Sequence, residues 1–119
     1  MRVLIVDDSL PMRTLLVDLL EQSGTAVETA GSGEEALQKA ASTSFGMILV
    51  DIEMPGMDGF ATARALRKIS ISCPLIALSG HPTEQIRKQD RENIFTDYLS
   101  KSFDLVSLAK SLGSLLQAP

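Results

Sequence analysis

The sequence predicts an α/β fold: a five-stranded parallel sheet, doubly wound, with helices on both faces. Two observations predict it. Five short apolar runs alternate with five longer stretches, and the first and last of these carry apolar residues at three-and-four spacing. The runs at 3–6, 47–50 and 75–78 contain no polar residue, as expected of strands covered on both faces.

The elements follow in order. Residues 3–6 (VLIV) form the first strand. Ser9 is placed to cap a helix with Pro11 in its first turn, where the missing N–H of proline costs nothing. Met12, Leu15, Leu16, Leu19 and Leu20 mark one face of that helix, and Gly24 closes it. Ala26–Ala30 supplies a weaker second strand. Ser32-Gly33-Glu34-Glu35 has the form of a capping box and opens a second helix running to about residue 42. Residues 47–50 are the third strand, and a loop with Pro55, Gly56 and Gly59 leads to a third helix near 60–68. Residues 75–78 are the fourth strand. The polar segment 83–93, with little apolar surface beyond Ile86, is expected to be helical, and 95–99 is the fifth strand. In the last helix Leu105, Leu108, Ala109, Leu112, Leu115 and Leu116 fall on one face.

The chain has 119 residues, one domain's worth, and residues 1–119 are expected to form one unit without linker or repeat. With 45% hydrophobic and 22% charged residues it belongs with globular proteins that fold without staples. The net charge of −4 offers no basic face for a phosphate backbone, which argues against direct nucleic-acid binding. The single cysteine, Cys73, excludes an internal disulfide and suits a reducing compartment; it reads as a small core hydrophobe before a strand. No apolar run approaches the roughly 20 residues that span a bilayer, and the run after Arg2 ends at Asp7. No membrane insertion and a cytoplasmic location are the expectation.

The polar residues fall at the carboxyl ends of the strands, where open α/β sheets bind ligands near the switch in strand order. The first strand ends in Asp7-Asp8, the third in Asp51, the fourth in Ser79, and the fifth leads to Lys101. In the flavodoxin-like strand order 2-1-3-4-5, taken from a known doubly wound class and not read from the residues, these five side chains share one edge. Three crowded carboxylates repel by about 4 kcal/mol per pair at about 4 Å in an effective dielectric near 20, so the cluster binds a cation, shifts its pKa values or serves as a solvated rim. Oxygen ligands suit Mg²⁺, and no Cys or His cluster competes for a softer metal. Asp7-Asp8 alone would serve equally as charge at a helix N-terminus; Asp51 and Lys101 in register favour the metal site. Asp51 is then the candidate nucleophile for a phosphoryl group, with Lys101 as a point charge and Ser79 as a hydroxyl donor.

The stretches VLIVDD (3–8), DIEMPGMDG (51–59), ALSG (77–80) and DYLSKSF (97–103) resemble the response-regulator receiver family of two-component phosphorelays in order and spacing, over the whole chain. The resemblance implies that Asp7, Asp8, Asp51 and the backbone carbonyl of Glu53 hold Mg²⁺. It implies that Asp51 is phosphorylated by a sensor histidine kinase or histidine phosphotransfer protein. Ser79, Lys101 and Tyr98 match the family's hydroxyl, lysine and switch aromatic: Ser79 moves to the phosphoryl group and Tyr98 fills the vacated space. Such a protein is no enzyme in the ordinary sense, but a signalling phosphoacceptor that assists its own phosphorylation and dephosphorylation. A downstream protein is expected on the face of the fourth helix, fifth strand and last helix.

Three positions depart from the pattern. Ser102 replaces the proline that usually follows the lysine, which opens the question of a cis or trans bond at Lys101–Ser102. Gly80 stands where alanine is common and should loosen its loop. Glu53 and His81, two residues beyond Asp51 and Ser79, fall at positions that border the phosphoryl site in the family; His81 reads first as a solvent-exposed loop histidine, and the sharper hypothesis is that it and Glu53 set the acyl-phosphate lifetime. The alternative is a degenerate receiver acting only as a protein-interaction module, against which the complete Asp7/Asp8/Asp51/Ser79/Lys101 set argues. A haloacid-dehalogenase-like phosphatase places its nucleophile after the first strand, and a flavodoxin-like electron carrier needs a phosphate-cradling loop where Asp7-Asp8 would repel phosphate.

Overall fold

In the computed structural model, which describes residues 1–101 and 105–117, five strands and five helices alternate along the chain. They are β1 (Arg2–Val6), α1 (Leu10–Gln22), β2 (Ala26–Ala30), α2 (Gly33–Ser42), β3 (Met47–Asp51), α3 (Gly59–Lys68), β4 (Leu75–Ser79), α4 (Thr83–Gln89), β5 (Asp97–Ser100) and α5 (Leu105–Gln117). All strand pairs are parallel, in the order β2-β1-β3-β4-β5. The expected architecture and order are both present.

The unbroken apolar runs are buried because alternate side chains of each strand feed opposite cores. Leu4, Val6, Ile48, Val50, Leu75 and Ala77 join Ala36, Leu66 and Ile86 beneath α2, α3 and α4. Val3, Ile5, Leu49, Ile76 and Leu78 join Met12, Leu16, Leu20, Leu108 and Leu112 beneath α1 and α5. β2 and β5 are the edges and are correspondingly less buried. Cys73 packs half-buried against the first of these cores.

Helix starts follow their capping residues. Ser9 accepts from Met12 N, Ser32 from Glu35 N and Asp58 from Ala61 N. The capping box is only half realised, since Glu35 reaches past Ser32 to the N–H of Gly31. Gly24, at φ +82°, closes α1 in the left-handed conformation expected of it.

Three local expectations need correction. α4 has seven residues and stops at Gln89, short of residue 93. The buried Asp90 carboxylate takes the N–H groups of Ile94 and Phe95, turning the chain out of the helix. The same bond keeps Phe95 out of the sheet, so β5 begins at Asp97 and not at residue 95. On α5, Ala109 is exposed: the buried stripe runs through Leu108 and Leu112, and Ala109 lies about 100° away from Leu108 around the helix. The Lys101–Ser102 bond lies outside the described residues. No helix among them is long and apolar enough to cross a membrane.

The loop after β3 is anchored by packing. Ile52 and Met54 are buried, Ile52 N donates to Leu78 O, and Gly59 N returns to Ile52 O at 3.0 Å. A Cβ on Gly59 would lie 2.4 Å from the Asp51 carbonyl oxygen and 2.6 Å from Ile52 Cα, both backbone atoms that cannot step aside. Gly59→Ala is therefore expected to destabilise the fold by about 2–4 kcal/mol in urea denaturation, with displacement of the β3–α3 loop.

Candidate phosphoryl and metal site

The register of β1, β3 and β4 sets the site. Val6 pairs with Val50, so Asp7 and Asp51 emerge side by side at neighbouring strand ends, and Asp51 pairs with Leu78, one residue before Ser79. Lys101 is brought in by its own backbone, whose N–H donates to Ser79 O at 2.7 Å. The five predicted side chains thus share one edge of the sheet.

Asp7 and Asp51 are almost wholly buried, at 0% and 1% exposed, while Asp8 is exposed. One oxygen from each of Asp7, Asp8 and Asp51 lies within 4.8 Å of the others. Asp7 Oδ1 accepts from Ser9 N at 2.9 Å and Asp51 Oδ1 accepts from Glu53 N at 3.0 Å. The second oxygens are different. Lys101 Nζ stands 3.1 Å from Asp7 Oδ2 and 3.0 Å from Asp51 Oδ2, close enough for ion pairing. Neither oxygen receives a well-directed hydrogen bond, which leaves two buried, charged acceptors incompletely satisfied. Buried oxygens short of donors, grouped at this distance, are what a hard divalent cation completes, and so the residues present fit a metal.

Burial pushes the Asp51 carboxyl well above its usual range, the Asp7 charge adds to this, and the Lys101 contact and Glu53 N–H only partly offset it. For Lys101 burial works downward, but its pairing with Asp51 and Asp7 prevails and holds the ammonium above its ordinary value.

Ser79 is 2% exposed, and its Oγ accepts from His81 N at 3.0 Å, which leaves the hydroxyl proton free to donate. Glu53 and His81 meet across the rim, with Nε2 3.2 Å from Oε1 and both side chains more than half exposed. At that exposure the pair is worth about 1 kcal/mol or less. Tyr98 sits on the α4 side of β5, its hydroxyl 2.8 Å from Asp90 Oδ2 and its ring 4.6 Å from the Arg87 guanidinium. Burial, followed by the Asp90 contact, pushes its phenol up to about 12. A Cβ on Gly80 would meet nothing within 4 Å, so no steric need accounts for glycine there.

Sequence reasoning missed two residues. Arg13 Nη1 donates to the Asp7 carbonyl at 2.6 Å and steadies the turn that aims Asp7; no short-range pattern announces it. Asp58 caps α3 and fixes the β3–α3 loop, and an Asp directly before a helical run was a legible signal for that.

A response regulator receiver domain profile matches residues 3–113. The transcriptional regulatory protein ResD of Bacillus subtilis is 33% identical over 98% of this chain and 48% of its own length. The chain spans about half the length of the first curated relatives it matches. The chemotaxis protein CheY4 of Vibrio cholerae superposes with a TM-score of 0.84 at 35% identity, covering 96% of this chain and 97% of that one. TrrA of Thermotoga maritima, solved in complex with Mg²⁺–BeF, gives 0.82 at 33% identity with coverages of 96% and 97%.

Because Asp51 resists ionisation in the fold, the native state holds its proton to a higher pH than the unfolded chain does. Its contribution to stability is present at acid pH and is lost as pH rises from the ordinary carboxylate range through the raised value. Without divalent cations, Asp51→Asn should therefore be more stable than the wild type at neutral pH by about 1 kcal/mol, or roughly 4 °C in Tm, with the advantage shrinking in acid. Thermal melts across pH check this.

Proposed function

The chain belongs to the response regulator receiver domain family, and on that footing we propose that it is a phosphoacceptor switch, loaded on Asp51 in a Mg²⁺-dependent reaction. The observation that carries this is the buried Asp51 carboxylate at the end of β3, within 3.0 Å of Lys101 and grouped with Asp7 and Asp8. Asp7, Asp8, Asp51 and the Glu53 carbonyl would hold Mg²⁺. Bound there, the ion would relieve the carboxylate repulsion and neutralise phosphoryl charge.

The chain's own residues supply position and charge. An Asp51 carboxylate oxygen forms the O–P bond as the P–N bond of a donor phosphohistidine breaks, and the electron pair returns to the imidazole nitrogen. Lys101 exchanges part of its pairing with Asp51 and Asp7 for a phosphoryl oxygen. The free proton of the Ser79 hydroxyl is available to a second oxygen. Drawing Ser79 inward opens room for Tyr98, and the short α4, without a side-chain cap and held mainly by Ile86, is poorly anchored against such a change.

The donor is a sensor histidine kinase or histidine phosphotransfer protein. The output surface is the face of α4, β5 and α5, which reaches a downstream protein and not nucleic acid. Residues 1–119 act as one receiver unit, in the cytoplasm. Glu53 and His81, paired over the site's rim, govern water access to the acyl phosphate and hence its lifetime.

Incubation with Mg²⁺ and a small acyl phosphate, followed by intact-mass measurement, tests the chemistry. A single phosphoryl adduct on the wild type, absent from Asp51→Asn, is expected; no adduct on either would sink the proposal. His81→Ala should change the dephosphorylation rate by about threefold or more, and equal rates would remove His81 from that role.

A further inference from the structure

Asp90 is a buried carboxylate that the phosphoacceptor chemistry leaves unused. It stands at the C-cap of α4, 6% exposed and outside the acidic cluster. Its Oδ1 accepts from Ile94 N at 3.0 Å, and its Oδ2 accepts from Phe95 N at 3.0 Å and from the Tyr98 hydroxyl at 2.8 Å. Arg87, from the last turn of α4, lies over the Tyr98 ring, and the Phe95 ring packs 6.3 Å from it. Ending the helix requires only the two backbone N–H groups. The bond to Tyr98 is an addition that capping does not need.

We propose that Asp90 is a latch that holds Tyr98 on the α4 side of β5 and so sets how readily a phosphoryl group on Asp51 remodels that face. This rests on Tyr98 being the switch aromatic of the function proposed above. To leave, the phenol must surrender a bond to a charged, buried acceptor and withdraw from beneath Arg87. Both losses favour the latched arrangement. The backbone bonds of Ile94 and Phe95 to Asp90 survive the release, so the ring can move without unwinding the end of α4. A ligand that favours the released state works against this bond, and by reciprocity removing the bond strengthens that ligand. Hydrogen bonds to charged groups correspond to at least about a tenfold effect on such an equilibrium.

The test uses the full chain and beryllium fluoride with Mg²⁺ as the phosphoryl probe, with binding read by calorimetry and α4 motion by hydrogen exchange. Tyr98→Phe keeps the ring and both cap bonds and removes only the hydroxyl. It should bind the probe about tenfold more tightly than the wild type and exchange faster in residues 83–89 before the probe is added. Asp90→Asn should tighten binding in the same direction. Because Tyr98 is the sole tyrosine and tryptophan is absent, intrinsic emission in the wild type reports this hydroxyl alone. It should rise when the probe releases the phenol from its carboxylate quencher. Probe binding with equal affinity in wild type and Tyr98→Phe, or with unchanged Tyr98 emission, overturns the latch. Failure of the wild type to bind the probe at all overturns the phosphoacceptor function beneath it.

Discussion

Two carboxylates, Asp7 and Asp51, are buried side by side at the ends of adjacent parallel strands, and everything at this edge of the sheet answers to their charge. An uncompensated buried carboxylate is among the least favourable groups a fold can contain. Here each has one oxygen tied to a backbone N–H two residues on and the other left to Lys101. One ammonium shared between two anions does not neutralise them. The suppressed ionisation of Asp51 and the unfilled acceptor capacity of both Oδ2 atoms express that deficit. Positive charge entering such a site is stabilised there, because it offsets that deficit.

The surrounding structure keeps the tension from relaxing. Ile52 and Met54 pin the loop after β3 into the core, and Gly59 lets α3 start against the carbonyl of Asp51 itself. Arg13 clamps the Asp7 carbonyl, and the Lys101 N–H is locked to Ser79. Each of these fixes backbone, so the acidic side chains cannot drift apart. Rigid supports around charged groups are the usual condition for preorganised phosphoryl-transfer sites.

Asp90 shows the opposite solution to the same problem. It is buried nearly as well, yet three donors satisfy it, and they come from its own α4–β5 connection and from Tyr98. The contrast sets an edge with two incompletely satisfied carboxylates against a fully bonded α4–β5 connection whose donors include the Tyr98 hydroxyl. The chain between them is short: Ser79, its bond to His81 N, and a seven-residue helix.

The element order and the polar side chains that gather at one edge of the sheet were legible in the sequence, because they rest on local signals. Unbroken apolar runs identify doubly covered strands, and polar residues directly after them mark the ligand edge. Cap residues such as Ser9 and Ser32 mark helix starts. The end of α4 and the start of β5 were not legible, since they depend on where one carboxylate, Asp90, finds its donors. Nor was the meeting of Glu53 with His81, or the reach of Arg13 back to Asp7, because bonds that cross between loops leave no periodic trace. The strand order itself was imported from a known class. Only the tertiary structure decided which acids are buried, which are satisfied and which are left short of donors, because desolvation belongs to the packed state and not to the residue.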